Sequence, residues 1–275
     1  MKVNRVRQNV LPLLTAMIWG TAFVAQSIGA DYMGPFVFNA ARAVIAFVFL
    51  LCLLSFRLAF QKRRHVVHPI GQRRDLLLGG LCCGAALTVA SFFQQKGLET
   101  TSSGKAGFIT ALYIVLVPVL GLLLGRKPPR MVWVSIVLAV GGLYCLCITD
   151  GFSITTGDFY VLLCAFCFSV QIMAVDHFGQ KVDGVALSCC QFFVMSVLSA
   201  LGSFADRLPD PALASEWLGP VLYVGVFSSG VAYTLQILAQ KDSDPAVVSL
   251  LMSMESVFAT LAGVLILHDR LSSRE

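Results

Sequence analysis

The sequence predicts an all-α integral membrane protein, and three observations carry that prediction. Apolar runs of 17 to 23 residues recur along the whole chain. Short turns rich in Gly, Pro, Asp and basic residues separate them. Charged residues make up only 13% of the chain against 57% hydrophobic, roughly half the charge share of a soluble domain. A soluble globule of this composition could not cover its own core. The chain is therefore read as a multi-span protein whose surroundings are a lipid bilayer, with no feature pointing to a nucleic-acid partner.

Val10–Ala30 is 21 residues without a charge, and Pro35–Phe56 is 22 residues with only Arg42. At 1.5 Å per residue, about 20 residues cross a ~30 Å hydrocarbon layer, so each run can span it. The break at Asp31–Pro35 is a tight turn, because Gly and Pro punctuate and Pro suits the first turn of a helix. The Arg57–Asp75 loop carries six basic residues: Arg57, Lys62, Arg63, Arg64, Arg73 and Arg74. Leu76–Gln95 is the third span, with Gly80-x-x-x-Gly84 spaced for close helix approach. Gly97–Lys105 is a polar turn and not a phosphate loop, since six residues separate its glycines and Ala106 follows the Lys. The fourth span is Ala106–Leu124, predicted to kink at Pro118, with Gly121-x-x-x-Gly125 at its end. A basic turn, Arg126 to Arg130, leads to the fifth span, Met131–Ile148.

The second half opens with Thr149–Asp158, polar and without basic residues. Spans follow at Phe159–Val175, Gly184–Phe204, Trp217–Ala239 and Ala246–Leu267, which makes nine. None shows the polar stripe of a helix in a soluble bundle. All nine cysteines fall in apolar runs, where Cys behaves as a small hydrophobe. Cys164-x-x-Cys167 has metal-like spacing but sits mid-span without a second pair, and His65-x-x-His68 is equally weak. No metal or cofactor is expected. With the N-terminus in the cytoplasm, inward segments hold 14 Lys and Arg and outward segments 5, which sets the N-terminus inside.

Five spans followed by four suggest a duplication. An offset of 149 sets Ala16 on Ala165, Trp19 on Phe168, Ala25 on Ala174 and Arg42 on Gln191 without a gap. Gln95-Lys96 and Gln240-Lys241 close corresponding spans. An odd number of spans per unit inverts the second copy, and in such transporter architectures the site lies at the repeat interface.

Several motifs resemble a known family. Ile18-Trp19-Gly20-Thr21-Ala22-Phe23, Gly34-Pro35-Phe36 and Ala40-Ala41-Arg42 resemble the first repeat of EamA-type members of the drug/metabolite transporter superfamily. Gly97-Leu98-Glu99-Thr100-Thr101 and Val117-Pro118-Val119 resemble its third and fourth helices. Met254-Glu255-Ser256-Val257-Phe258-Ala259 is similar to that family's Leu-Glu-Pro-Val-Phe-Ala run, with Ser256 where Pro is usual. His268-Asp269-Arg270-Leu271 stands where Gly-Glu-Arg-Leu is usual. The resemblance implies ten helices in two inverted five-helix repeats, residues 1–149 and 150–275. It implies secondary transport of a small organic metabolite or amphipathic compound, often export, from a multi-pass position in a bacterial cell membrane, with a homodimer possible. The family's tenth helix has no counterpart after Leu271–Glu275, so the second repeat is expected to lack its fifth helix and the chain to be incomplete.

Such a transporter needs polar groups facing a central cavity. Only Arg42 and Glu255 are charged inside the spans proper, and an intramembrane charge costs at least ~2.5 kcal/mol to insert. Arg42 either grips a substrate carboxylate with its planar fork of donors or clamps a neighbouring helix. Glu255, near mid-depth, either binds a cationic group, carries a proton or serves as a structural carboxylate. Trp19, Phe23 and Gln26 share one face of helix 1, and Tyr233 and Gln236 one face of helix 8. Asn39, Gln94, Tyr113, Gln171 and Gln191 sit in or at the end of spans, where amides also tie helices together. The binding or gating candidates are therefore Trp19, Gln26, Asn39, Arg42, Gln94, Tyr113, Gln171, Tyr233, Gln236 and Glu255. Two alternatives remain: a membrane-embedded enzyme acting on a lipid-linked substrate, which would need clustered carboxylates, a metal set or a His at one interface, and a receptor or scaffold. The topology is testable by accessibility. Single cysteines at Ser153 and Gln61, in a background without the native cysteines, are expected to label from opposite sides of the membrane; labelling from one side rejects the five-span inverted unit.

Overall fold

The computed structural model describes residues 9–63, 70–126, 130, 132–134, 136–138, 141, 155–241 and 243–268. Within them eight helical segments are long and apolar enough to cross a membrane. Most of the fifth predicted span and Asp269–Glu275 lie outside the described residues, as do His65, His68 and Ser153.

Local chemistry sets the helix ends. Helix α1 runs Leu11–Tyr32, and α2 runs Pro35–Arg63 with Pro35 as its first residue, where a missing N–H is harmless. Helix α2 continues two turns past the predicted end at Phe56, because Arg57 remains helical and pairs with Asp183 at 2.8 Å. Helix α3 is Arg73–Gly97. Ser102 caps α4, Ser103–Thr110, through the Lys105 N–H. Helix α5 is Tyr113–Leu123. A reciprocal Thr155–Asp158 capping box starts α6, Thr156–Gly179. Asp183 caps α7, Gly184–Gly202. The next span is α8, Ala214–Tyr223, a widened π-helical stretch, Val224–Ala232, and α9, Tyr233–Gln240. Asp244 caps α10, Pro245–Met252, followed by α11, Glu255–Ala262, and a terminal π-helical turn, Gly263–Leu267.

Helices pack mainly across the two halves. Helix α3 lies along α6 and α7, α2 along α7 and the π-helical stretch, and α1 against α11 and the α8–α9 span. These contacts are pairwise exchanged: α1 on the α8–α9 span answers α6 on α3, and α2 on the α8–α9 span answers α7 on α3. The pattern is that of two repeats related by a two-fold axis, interleaved rather than set side by side. Small residues make the approach possible. A Cβ on Gly20 would meet the backbone of Glu255 and Ala259, one on Gly107 the Ala259 side chain, and one on Gly84 the Gln191 carbonyl.

Each hairpin turn is closed by a loop from the other half. At one end the Gly34 N–H donates to the Arg207 carbonyl at 2.8 Å. Asp206 Oδ2 accepts from the N–H groups of Phe36 and Val37, at 2.6 and 3.2 Å, at the start of α2. Arg207 Nη2 donates to the Ala30 carbonyl at the end of α1. An acid thus meets a helix N-terminus and a base a C-terminus, as the helix dipoles favour. At the opposite end the Asp183 N–H donates to the Ile70 carbonyl at 2.9 Å. Gly34 and Asp183 correspond under the 149-residue offset.

One sequence expectation needs correction. The fourth span breaks at Ala111–Leu112, where the bonding tightens to Ile114 N–H on Ala111 O and Val115 N–H on Leu112 O. Pro118 lies further on, within α5. The ninth-span counterpart breaks in the same way at Ser253–Met254 without a proline. Pro118 therefore does not by itself account for the bend. Among the described residues a Cβ on Gly121 would meet Arg126, and Gly125, at φ +78°, ends the helix in the left-handed region. Gly80 and Gly84 do pack closely, on Cys190 and Gln191.

Gly20→Ala is expected to destabilise the protein by about 1–3 kcal/mol through overpacking against α11, seen as a lower melting temperature in detergent. Gly219→Ala, where a Cβ meets nothing within 4 Å, is expected to leave it unchanged. Equal shifts in the two variants would reject the close α1–α11 contact.

Candidate functional site

The two breaks face each other across the bundle interior and place Tyr113 and Glu255 as the first residues of α5 and α11. Trp19, Phe23 and Gln26 arrive from the face of α1 that Gly20 holds against α11. Arg42 enters from α2, Gln94 from α3, Phe168 and Ile172 from α6, and Tyr233 and Gln236 from α9. Together with Thr110 and Ser228 these residues line a constricted central cavity with about 20 Å³ of space for a water-sized guest.

Arg42 is 1% exposed and Glu255 2%. Arg42 Nε donates to Asn39 Oδ1 at 2.9 Å and Nη1 to Gln26 Oε1 at a long 3.4 Å, while Nη2 has no partner. Gln26 is itself held, its carbonyl accepting from Gln95 Nε2 at 2.8 Å. The guanidinium is thus oriented from behind and open in front. Glu255 Oε1 and the Tyr113 hydroxyl face each other across the cavity, close enough to interact but outside full hydrogen-bond geometry. Among the described residues neither Arg42 nor Glu255 forms an ion pair, although Tyr233 lies within electrostatic reach of both. Glu255 opens α11, where the N–H groups of Ser256, Val257 and Phe258 bond back to Ser253 and Met254, so only the helix dipole favours an anion there. Trp19 packs on Tyr233 with ring centroids 4.8 Å apart. Its Nε1 donates to the Ser228 carbonyl at 3.3 Å, an acceptor in the widened π-helical stretch.

Eight of the ten candidates named from sequence lie on the cavity wall. Asn39 and Gln171 do not: Asn39 stands behind Arg42, and Gln171 behind Gln236, whose Nε2 donates to Gln171 Oε1 at 3.2 Å. Thr110, Phe168, Ile172 and Ser228 were not among the candidates. Ser228-Ser229-Gly230, a small polar run within an apolar span, was the one available signal for Ser228.

Charged pairs flank the cavity at both ends. Lys105 Nζ meets Asp158 at 2.7 Å at the Gly34 end, and Arg126 pairs with Asp176 at the Asp183 end, so the α4–α5 span is tied to α6 twice.

An interleaved, two-fold bundle of membrane-spanning helices around a buried polar cavity is the architecture of a multi-pass membrane transporter. The sequence matches the EamA-like transporter family over residues 8–148 and again over 155–275; the chain belongs to that family. An uncharacterized transporter of Archaeoglobus fulgidus is 31% identical, covering 98% of this chain and 81% of its own length. One from Methanothermobacter thermautotrophicus is 25% identical over 95% and 80%. A protein of Streptantibioticus cattleyicolor described as a probable terminal-alkyne amino-acid exporter is 24% identical over 80% and 72%. A crystal structure at 20% identity superposes with a TM-score of 0.71 over 97% of this chain and 90% of the other, a likeness of fold alone. The family and these relatives are transporters, which sets the enzyme reading aside.

Replacing an unpartnered buried hydroxyl by hydrogen removes a desolvation penalty, whereas removing a used partner strands the other group at about 1–3 kcal/mol. Tyr113→Phe is therefore expected to hold or raise the melting temperature in detergent, and Asn39→Leu to lower it. A Tyr113→Phe loss as large as that of Asn39→Leu would show that the hydroxyl is satisfied.

Proposed function

We propose that this protein is a secondary transporter that moves a small zwitterionic organic metabolite by alternating access, in the direction of export across a cell membrane with its N-terminus in the cytoplasm. The observation that carries the reading is the pair of unpaired opposite charges, Arg42 and Glu255, on the wall of one cavity. An ion held out of water costs several kcal/mol, about what a well-placed counter-charge returns. A solute that brings an acid to the Arg42 fork and an amine to Glu255 offsets both penalties and adds no net charge. A purely anionic or cationic solute leaves one of them uncompensated. The exporter named among the relatives handles an amino acid, which fits this chemistry.

Support for alternation comes from the ends. The Lys105–Asp158 pair stands at one mouth and the Arg126–Asp176 pair at the other, so separating one while keeping the other opens the cavity to one side at a time. Substrate release then drives return, with a gradient or exchange supplying direction. The residue spans of the two repeats, 1–149 and 150–275, are the units that would rock against each other.

The test is flux into proteoliposomes with labelled amino acids, nucleosides and cationic dyes. Amino acids are expected to move. Arg42→Lys keeps the charge but loses the bidentate fork, and Glu255→Gln keeps the shape but loses the charge; each is expected to cut amino-acid flux about tenfold or more, equivalent to at least ~1.4 kcal/mol. Flux confined to nucleosides or dyes, or unaltered amino-acid flux in both variants, would sink the zwitterion reading.

A further inference from the structure

The two halves differ at one corresponding position. Arg42 on α2 and Gln191 on α7 are matched by the 149-residue offset, so the second half carries an amide where the first carries a guanidinium. Gln191 belongs to a chain of amides. Gln171 Nε2 donates to Gln191 Oε1 at 3.5 Å, and Gln236 Nε2 donates to Gln171 Oε1 at 3.2 Å. All three side chains are completely buried. Gln236 reaches the cavity, and its Oε1 has no partner there. At the far end Gln191 Nε2 is likewise unpartnered. Apolar residues of the same size would fill this space without stranding two amide groups, each at about 1–3 kcal/mol. A chain of fixed dipoles ending in a free acceptor on a cavity wall is a preorganised hydrogen-bonding subsite.

We propose that the Gln236–Gln171–Gln191 relay is a specificity-determining subsite that reads a neutral hydrogen-bonding group, a hydroxyl or carboxamide, on the solute. This rests on the zwitterion reading above, in which Arg42 and Glu255 take the two charges and leave the rest of the solute to be distinguished. A neutral relay offers no counter-charge, so a third charge on the solute would remain unbalanced, and an apolar group would leave Gln236 Oε1 dry and unpaired. The relay is also adaptable. If all three amides flip together, both internal bonds survive with reversed direction, and Gln236 then presents a donor in place of an acceptor. A hydroxyl, which is both donor and acceptor, fits either setting. Gln236 is the residue that touches solute; Gln171 and Gln191 are positioning residues that fix which way its amide points.

The test uses pairs of equal shape that differ only in hydrogen bonding: L-threonine against L-valine, and L-asparagine against L-leucine. Each is measured as labelled solute with the full chain in proteoliposomes. The polar member of each pair is expected to be preferred in flux efficiency by about tenfold, in line with the cost of leaving a buried polar group unpaired. Gln236→Met is expected to collapse the ratio to within about twofold of unity, and Gln191→Met to narrow it, since it acts through Gln171. A merely structural role would lower both members of a pair together and keep their ratio. No preference in the unaltered protein, or ratios untouched by Gln236→Met, overturns this inference while the zwitterion reading stands. Absence of flux for all four amino acids overturns both.

Discussion

A helix can be interrupted inside a bilayer only where protein, not lipid, surrounds the interruption, because hydrocarbon offers nothing to the freed backbone groups. Among the described residues the chain carries two such interruptions, at Ala111–Leu112, which is buried, and at Ser253–Met254, where Met254 faces outward, and close helix packing covers the inner side of both. Helices α4 and α11 press together through Gly107 and Ala259, and α1 is drawn onto α11 at Gly20. The tight turns retain short-range bonds, so most of the freed groups are still served locally. What the breaks supply in return is two fresh helix N-termini deep in the bundle, and the side chains that open them, Tyr113 and Glu255, project into the space that the close packing encloses.

The same constraint explains why the halves interleave. The inner side of each broken span is covered by helices of the other repeat: α4 and α5 by α11 and α6, and α11 by α1 and α4. Exchange of partners between repeats achieves this for both breaks at once, and the loops that cross at Gly34 and Asp183 hold the exchange at the two ends. Asp206 and Arg207 reach across 170 and 177 residues of sequence to cap α2 and α1, so each hairpin is finished by residues of the opposite half.

How much of this was legible in the sequence divides along physical lines. Span positions were readable because length and apolarity are local properties, and the start of α2 because Pro35 announces it. Arg42 and Glu255 stood out since charge is rare and costly in such surroundings. The breaks were not readable: Ala111-Leu112 and Ser253-Met254 have no common residue signature, and the one conspicuous breaker, Pro118, sits inside the resumed helix. Depth ranking also failed for the amides. Asn39 and Gln171 have the same composition and burial as residues on the wall, and only the packing direction of each helix decides that they stand one layer back. The Asp206 and Arg207 caps are long-range contacts with no trace in local pattern.

Duplication gives a symmetric scaffold, but a solute on the two-fold axis meets an asymmetric lining. Two corresponding positions hold one charged and one neutral member: Arg42 with Gln191, which stands behind the wall, and Glu255 with Tyr113, each the first residue after a break. The first half thus contributes the cation and the second the anion. Were the pairs identical, the axis would carry two guanidiniums or two carboxylates, and like charges in a low-dielectric cavity repel strongly. Divergence to a neutral partner at each position removes that repulsion while keeping the hydrogen-bonding volume of the site. It also breaks the degeneracy of orientation: an unsymmetrical solute can bind a symmetric cavity in two ways that are equal in energy, and an asymmetric lining makes the two unequal. The scaffold and the lining are thus set by different residues: Gly20, Gly84 and Gly107 bring the helices together, while Arg42 and Glu255 give the cavity its two unlike sides.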